Sequence, residues 1–210
     1  MTRGCFIALE GGDGTGKSTQ ARLLAEALRQ KGIEVVVTRE PGGTPGAEAI
    51  RELLFDPPGE IWGAEAEALL FAAARSDHVA NRILPALEGG EWVVTDRFVD
   101  SSRAYQGAAR WLGDAVIKQL HEIGSGGLRP DLVILIELDE NTIAQRPAER
   151  DDGSSDAIGR RDDEYHREVA RAFRSYAEAD PEGYAIIDGT GTSQEVHQRV
   201  IGAVKPLLER

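Results

Sequence analysis

Cysteine is almost missing from this chain: Cys5 is the only one in 210 residues. No intramolecular disulfide can form, so the fold must rest on a packed core. Cys5 itself sits in an apolar run and reads as a small core residue. Positive charge is also scarce. Lys and Arg number 24 against 36 Asp and Glu, a net charge of −12. Such a chain offers no broad field for phosphate backbones or anionic membrane surfaces, although a few converging arginines can still hold a small anion. Long apolar runs are missing too. None reaches the length of a membrane span or a signal-peptide core, so the expectation is a cytoplasmic protein that binds neither nucleic acid nor membrane. The four histidines, His78, His121, His166 and His197, share no motif and no metal-ligand spacing. Each falls within an expected helix and reads as structural.

What is present fits one globular domain over residues 1–210, with 41% hydrophobic and 29% charged residues. Residues 5–9 form a short apolar run that leads into a glycine-rich stretch. Leu23, Leu24, Ala27 and Leu28 then recur at helical spacing, and Lys31-Gly32 ends the pattern. The unbroken Val35, Val36 and Val37 predict a strand buried on both faces. Residues 41–46 form a proline- and glycine-rich loop. A short helix is expected over 47–54 and a long one over 64–84, with a third strand over 92–95. Helix 114–122, strand 132–138 and a helix from about residue 140 follow. Residues 146–163 read as a mobile lid. Helix 164–179, strand 184–187 and helix 193–208 complete the chain. Strands alternating with helices predict an α/β fold with a five-stranded parallel sheet covered on both sides.

Two elements carry chemistry. Gly11-Gly12-Asp13-Gly14-Thr15-Gly16-Lys17-Ser18 fits G-x-x-x-x-G-K-[ST], with Thr19 following and a strand and a helix on either side. Average residue frequencies give a chance match in roughly one chain of this length in a hundred. The glycines let successive N–H groups point inward, and the helix N-terminus adds partial positive charge. Lys17 supplies a full charge to the β- and γ-phosphates of a nucleotide, and the Ser18 hydroxyl is placed to ligate Mg²⁺. The second element is Val93-Val94-Thr95-Asp96-Arg97. An apolar strand ending in Asp can hold the same metal, and Arg97 points at phosphates from that strand end.

Five blocks together resemble the thymidylate kinases: GGDGTGKST, TREPGGT at 38–44, the Phe71/Arg75 pair, DRFVDSSRAYQG at 96–107 and RPDLVILIELD at 129–139. Their order and spacing match the family over nearly the whole chain. The resemblance implies a three-layer P-loop fold, ATP as phosphoryl donor, dTMP as acceptor, dTDP as product, Mg²⁺ as cofactor and a homodimer. It makes Lys17, Asp13, Arg97 and Asp96 the catalytic set, with Ser18 and Asp96 at the metal. By the same resemblance Phe71 stacks on thymine and Arg75 bonds to the pyrimidine. Arg39, Arg51 and Arg97 clamp the monophosphate, a task suited to planar guanidinium forks. Glu40 and Asp13 lie between sugar, metal and phosphates. Ser102 and Gln106 read the base edge, and Tyr105 lies near the sugar. No general base is needed, because the acceptor is a phosphate oxygen that is largely anionic near neutral pH.

The chain departs from the family in one segment. Members with a small residue at the Thr15 position usually carry a lid arginine eight residues before the aromatic that opens the next helix. Counting back from Tyr165 gives Ala157, within Asp156-Ala157-Ile158-Gly159. Arg150 or the Arg160/Arg161 pair is expected to act instead, and replacing all three by Ala should lower turnover. Two alternatives stay open at this point. One is a kinase for another nucleoside or nucleotide, since Glu40 sits near where nucleoside kinases place a carboxylate base. The other is a paralogue that binds nucleotides with weakened catalysis.

Overall fold

The computed structural model describes residues 3–59, 61–138 and 162–209. The chain opens with β1 (Phe6–Glu10) and α1 (Lys17–Gln30), then β2 (Val35–Arg39) and α2 (Pro45–Phe55). Next come α3 (Ala64–His78), a π-helical turn (Val79–Ile83), α4 (Leu84–Glu88) and β3 (Trp92–Asp96). A second helical stretch joins α5 (Val99–Ser102) to a π-helical segment (Arg103–Ala108). α6 (Asp114–Ser125), β4 (Leu132–Glu137), α7 (Asp163–Ala179), β5 (Tyr184–Asp188) and α8 (Ser193–Leu208) follow.

The strands form one parallel sheet in the order β2-β3-β1-β4-β5. Alternation along each strand feeds two faces. Ile7, Leu9, Ile134 and Ile136 pack with Leu24, Leu28 and Val200 from α1 and α8. Phe6, Ala8 and Val93 point the other way, to Ala68, Ile83, Phe98 and Ile117. Val133 and Leu135 meet Ala104, Val169 and Phe173 on that side. The three-layer α/β expectation is met. β2 lies at the sheet edge, yet Val35 and Val36 are buried into opposite cores, as the β-branched run predicts.

Helix α2 takes in Pro45 and Gly46 from the expected loop, α6 runs on to Ser125, and three further details differ from the sequence expectation. The long helix does not stop near residue 84 but continues through the π turn to Glu88. Helix α7 begins at Asp163, with Asp162 as its cap: Asp162 Oδ1 accepts from the Tyr165 amide at 2.9 Å. The helical stretch from Val99 to Ala108 was not expected at all. It is pinned by the buried Asp100, which accepts from Arg103 (2.8 Å), Arg129 (2.7 Å) and the Tyr184 hydroxyl (2.5 Å). The expected helix from residue 140, Ala157, and the lid candidates Arg150, Arg160 and Arg161 lie outside the described residues.

Candidate active site

In an open parallel sheet, ligands bind beyond the carboxyl ends of the strands. Here β1, β2 and β3 end side by side. Leu9 and Arg39 are both in register with Asp96, so the loops leaving these strands start from one place. Backbone bonds tie them further: Arg97 N donates to Leu9 O at 2.9 Å and Glu40 N to Asp96 O at 2.9 Å.

The glycine loop leaves β1. Gly11 has φ +138°, and a Cβ there would lie 2.3 Å from Ile136 O, so only glycine fits. Thr15 Oγ1 donates to Gly12 O at 3.0 Å, and Lys17 Nζ reaches the same oxygen at 2.6 Å. Burial lowers the Lys17 pKa to about 8, aided by Arg97 and opposed by Asp96, Asp13 and Glu10. Ser18 Oγ hydrogen-bonds Asp96 Oδ2, while the buried Asp96 Oδ1 has no hydrogen-bond partner among the described residues.

Arg97 follows at φ +68°, an uncommon backbone for a non-glycine residue. Its Nη1 donates to Gly11 O (3.2 Å) and Ser101 Oγ (3.0 Å), and its Nη2 to Asp13 Oδ1 (2.5 Å) and the Tyr105 hydroxyl (3.3 Å). The guanidinium also lies 5.0 Å over the Tyr105 ring. Burial works against its charge, but Tyr105 and the Asp13, Asp96 and Glu10 carboxylates outweigh it, and its pKa stays above the ordinary arginine value.

The opposite wall belongs to α3. Phe71 and Arg75 share a helix face, as their spacing requires, and both line the cleft. The buried Arg75 donates from Nε to Glu40 Oε2 (2.7 Å) and from Nη2 to Ser102 Oγ (2.8 Å). His78 Nδ1 lies 3.1 Å from Glu40 Oε1, and its Nε2 is 2.7 Å from Thr38 Oγ1. Burial pushes the Glu40 carboxyl up, but Arg75 and His78 outweigh it and hold its pKa below the usual range. Gln106 Nε2 donates to Glu67 Oε1 at 2.8 Å. Arg39 pairs with Glu48 at 3.3 Å, and Arg51 donates to Pro41 O at 2.9 Å.

One cleft of about 2220 Å³ collects these parts. Gly11 through Thr19, Arg39, Glu40, Arg51, Phe71, Arg75, Asp96, Arg97, Ser102, Tyr105 and Gln106 all line it. Sites for one drug-sized ligand run to roughly 1,000 Å³, so this cleft has room for two nucleotides.

The thymidylate kinase family model matches residues 9–200. A thymidylate kinase of Rhizorhabdus wittichii is 53% identical over 205 residues, covering 98% of this chain and 99% of that protein. One from a Bradyrhizobium species is 44% identical, covering 98% and 92%. The crystal structure of thymidylate kinase from Ehrlichia chaffeensis superposes with a TM-score of 0.79 at 32% identity, covering 96% of this chain and 99% of that one. The chain belongs to the thymidylate kinase family.

Every site residue that the resemblance to the thymidylate kinases suggested falls in the cleft, apart from the lid arginines. The structure adds residues that the motifs did not mark. Arg82, seven positions after Arg75, also lines the cleft, and helical spacing could have found it. His166 lines it as well, and His78 buttresses Glu40. Glu10 is fully buried at the end of β1. Its signal was a lone carboxylate closing an otherwise apolar strand.

Proposed function

We propose that the protein transfers the γ-phosphoryl group of ATP to dTMP, giving dTDP. The observation that carries this reading is the single cleft with the glycine cradle at one end, the Phe71/Arg75 wall at the other and Arg97 between them. ATP takes the cradle, where Lys17 meets the β- and γ-phosphates. Thymine stacks on Phe71, with Arg75, Ser102 and Gln106 along its edge and Tyr105 beside the sugar. Arg39, Arg51 and Arg97 hold the acceptor phosphate. Asp13 pairs with Arg97 and Glu40 with Arg75, so these carboxylates orient those two arginines rather than accept a proton. Catalysis is then alignment and charge neutralisation.

Mg²⁺ belongs to the same reading. Ser18 and Asp96 would hold it, and the unpartnered Asp96 Oδ1 fits a cation that takes hard oxygen donors. The ion supplies neutralisation of charge on the transferred group.

Glu40 bears on the rival reading of a nucleoside kinase. A base must be free to take a proton, whereas Glu40 is buried, engaged by Arg75 and His78, and held at a low pKa. A homodimer through α3 and α6 is also proposed, supported by the exposed Leu69, Val116 and Ile123 on those helices. The acidic balance supports small-molecule partners over nucleic acid or membrane, and no helix among the described residues is long and apolar enough to cross a membrane. A single domain working in the cytoplasm completes the proposal. The test is a crystal soaked with a bisubstrate mimic that joins adenosine and thymidine through phosphates. Density over the cradle and against Phe71 supports the reading, and a Phe71 pocket filled by the protein's own side chains contradicts it.

A further inference from the structure

The helical stretch that begins at Val99 carries Ser102, Tyr105 and Gln106, yet it starts without a local cap. Its N-cap residue is Phe98, whose side chain cannot accept a hydrogen bond. The first N–H groups of any helix need partners from elsewhere. In a capping box two nearby side chains satisfy the N-cap and N3 amides. Here one distant carboxylate takes both. Glu10 Oε1 accepts from Phe98 N at 2.9 Å and from Ser101 N at 3.1 Å. Its other oxygen accepts from Ser101 Oγ at 2.6 Å. A carboxylate at a helix N-terminus is also favoured by the local dipole.

The same carboxylate braces Arg97. That residue stands at φ +68°, and its turn is fixed at both ends, by Arg97 N to Leu9 O (2.9 Å) and by Thr95 Oγ1 to Arg97 O (2.9 Å). The Phe98 amide bonded to Glu10 is the next link in that turn. Ser101 Oγ then relays the constraint outward, since it donates to Glu10 and accepts from Arg97 Nη1 at 3.0 Å.

We propose that Glu10 is a positioning residue. From the strand that feeds the phosphate cradle, it caps the helix that carries the acceptor-facing side chains and fixes the aim of Arg97. It links the two halves of the cleft without touching either nucleotide. Its burial is costly for a charge. The carboxyl is raised to about 7, first by burial and then by Asp100, with Ser101, Arg97 and the Phe98 amide pulling the other way. A glutamine would keep both amide contacts at a lower desolvation cost. The carboxylate therefore suits Arg97 and Ser101 better than it suits the fold.

The proposal rests on the phosphotransfer reading only for the consequence of misalignment. Glu10→Gln, Glu10→Ala and Ser101→Ala are compared with the unmodified protein by kcat and KM with dTMP and MgATP, by thermal melting, and by amide hydrogen exchange at Phe98 and Ser101. The expected kcat losses are about 10-fold for Glu10→Gln and about 100-fold for Glu10→Ala, as for a shift of ~1 Å in a positioned group. Glu10→Gln melts no lower than the unmodified protein, and Ser101→Ala lowers kcat in the same direction. Exchange at the two amides speeds up in Glu10→Ala. An unchanged kcat in folded Glu10→Gln and Ser101→Ala would overturn the proposal, as would unaltered exchange in Glu10→Ala. If the unmodified protein fails to phosphorylate dTMP while exchange responds as described, the functional reading fails and the capping role stands.

Discussion

The proposed function gives Arg97 the charge and Phe71 the stacking in recognition of the acceptor, and the two roles can be separated by substitution. Phe71 is half-buried on the cleft wall. Phe71→Ala should cost about 1–3 kcal/mol, the usual worth of a base-aromatic stack, in kcat/KM for dTMP, with ATP affinity unchanged. Steady-state kinetics with each substrate varied in turn checks this. Glu10 gives a second prediction, in stability rather than rate. Its folded pKa of about 7 lies above the ordinary 4.5. Between those values the folded state holds a proton that the unfolded chain has released. Glu10 therefore contributes a stability term that is full below pH 4.5 and is lost as pH rises to about 7, on the order of 3 kcal/mol. Denaturant titrations across that range should show the slope in the unmodified protein relative to Glu10→Gln; parallel curves would contradict it. At this scale the motif residues were legible because glycine, lysine and arginine at fixed spacings have few structural uses. Glu10 was not, since its role depends on a partner 88 positions away.

The loop after β2 and the helical stretch after β3 decide whether the two halves of the cleft meet. Gly43 has φ +88°, and a Cβ there would fall 2.4 Å from Thr38 Oγ1 and 2.6 Å from His78 Nε2. Gly43→Ala should therefore destabilise the protein by more than about 1 kcal/mol and raise KM for dTMP, because the displaced His78 supports Glu40 and, through it, Arg75. Thermal melting alongside kinetics tests both parts. The strands were readable from apolar runs, and α8 was read to its observed bounds, where Thr192 and Glu195 form a local capping box. The stretch from Val99 to Ala108 was not readable. It has no local cap, it opens on residues common in turns, and its π-helical part breaks the 3.6-residue rhythm. The run past residue 84 failed for a similar reason, since a π turn interrupts the helix before Pro85.

For the molecule as a whole, α3 and α6 pack closely where Gly124 lies against Ala72 and Ser76, and they leave Leu69 56% and Ile123 77% exposed. Sedimentation should give twice the chain mass, and Leu69→Glu combined with Ile123→Glu should give a monomer. A monomeric unmodified protein would contradict the proposed dimer. The broad architecture was legible because alternating strands and helices admit few arrangements. The glycine loop and the Phe71/Arg75 wall share one cleft because β1, β2 and β3 end together, which no single motif states. The most direct measurement is a panel of dTMP, dUMP, dCMP, AMP, GMP and thymidine with MgATP, with each phosphorylated product quantified. The expected result is dTDP from dTMP at the highest kcat/KM, with dUMP, which lacks only the methyl group, behind by about 10- to 200-fold. No dTDP, or faster turnover of another acceptor, would contradict it.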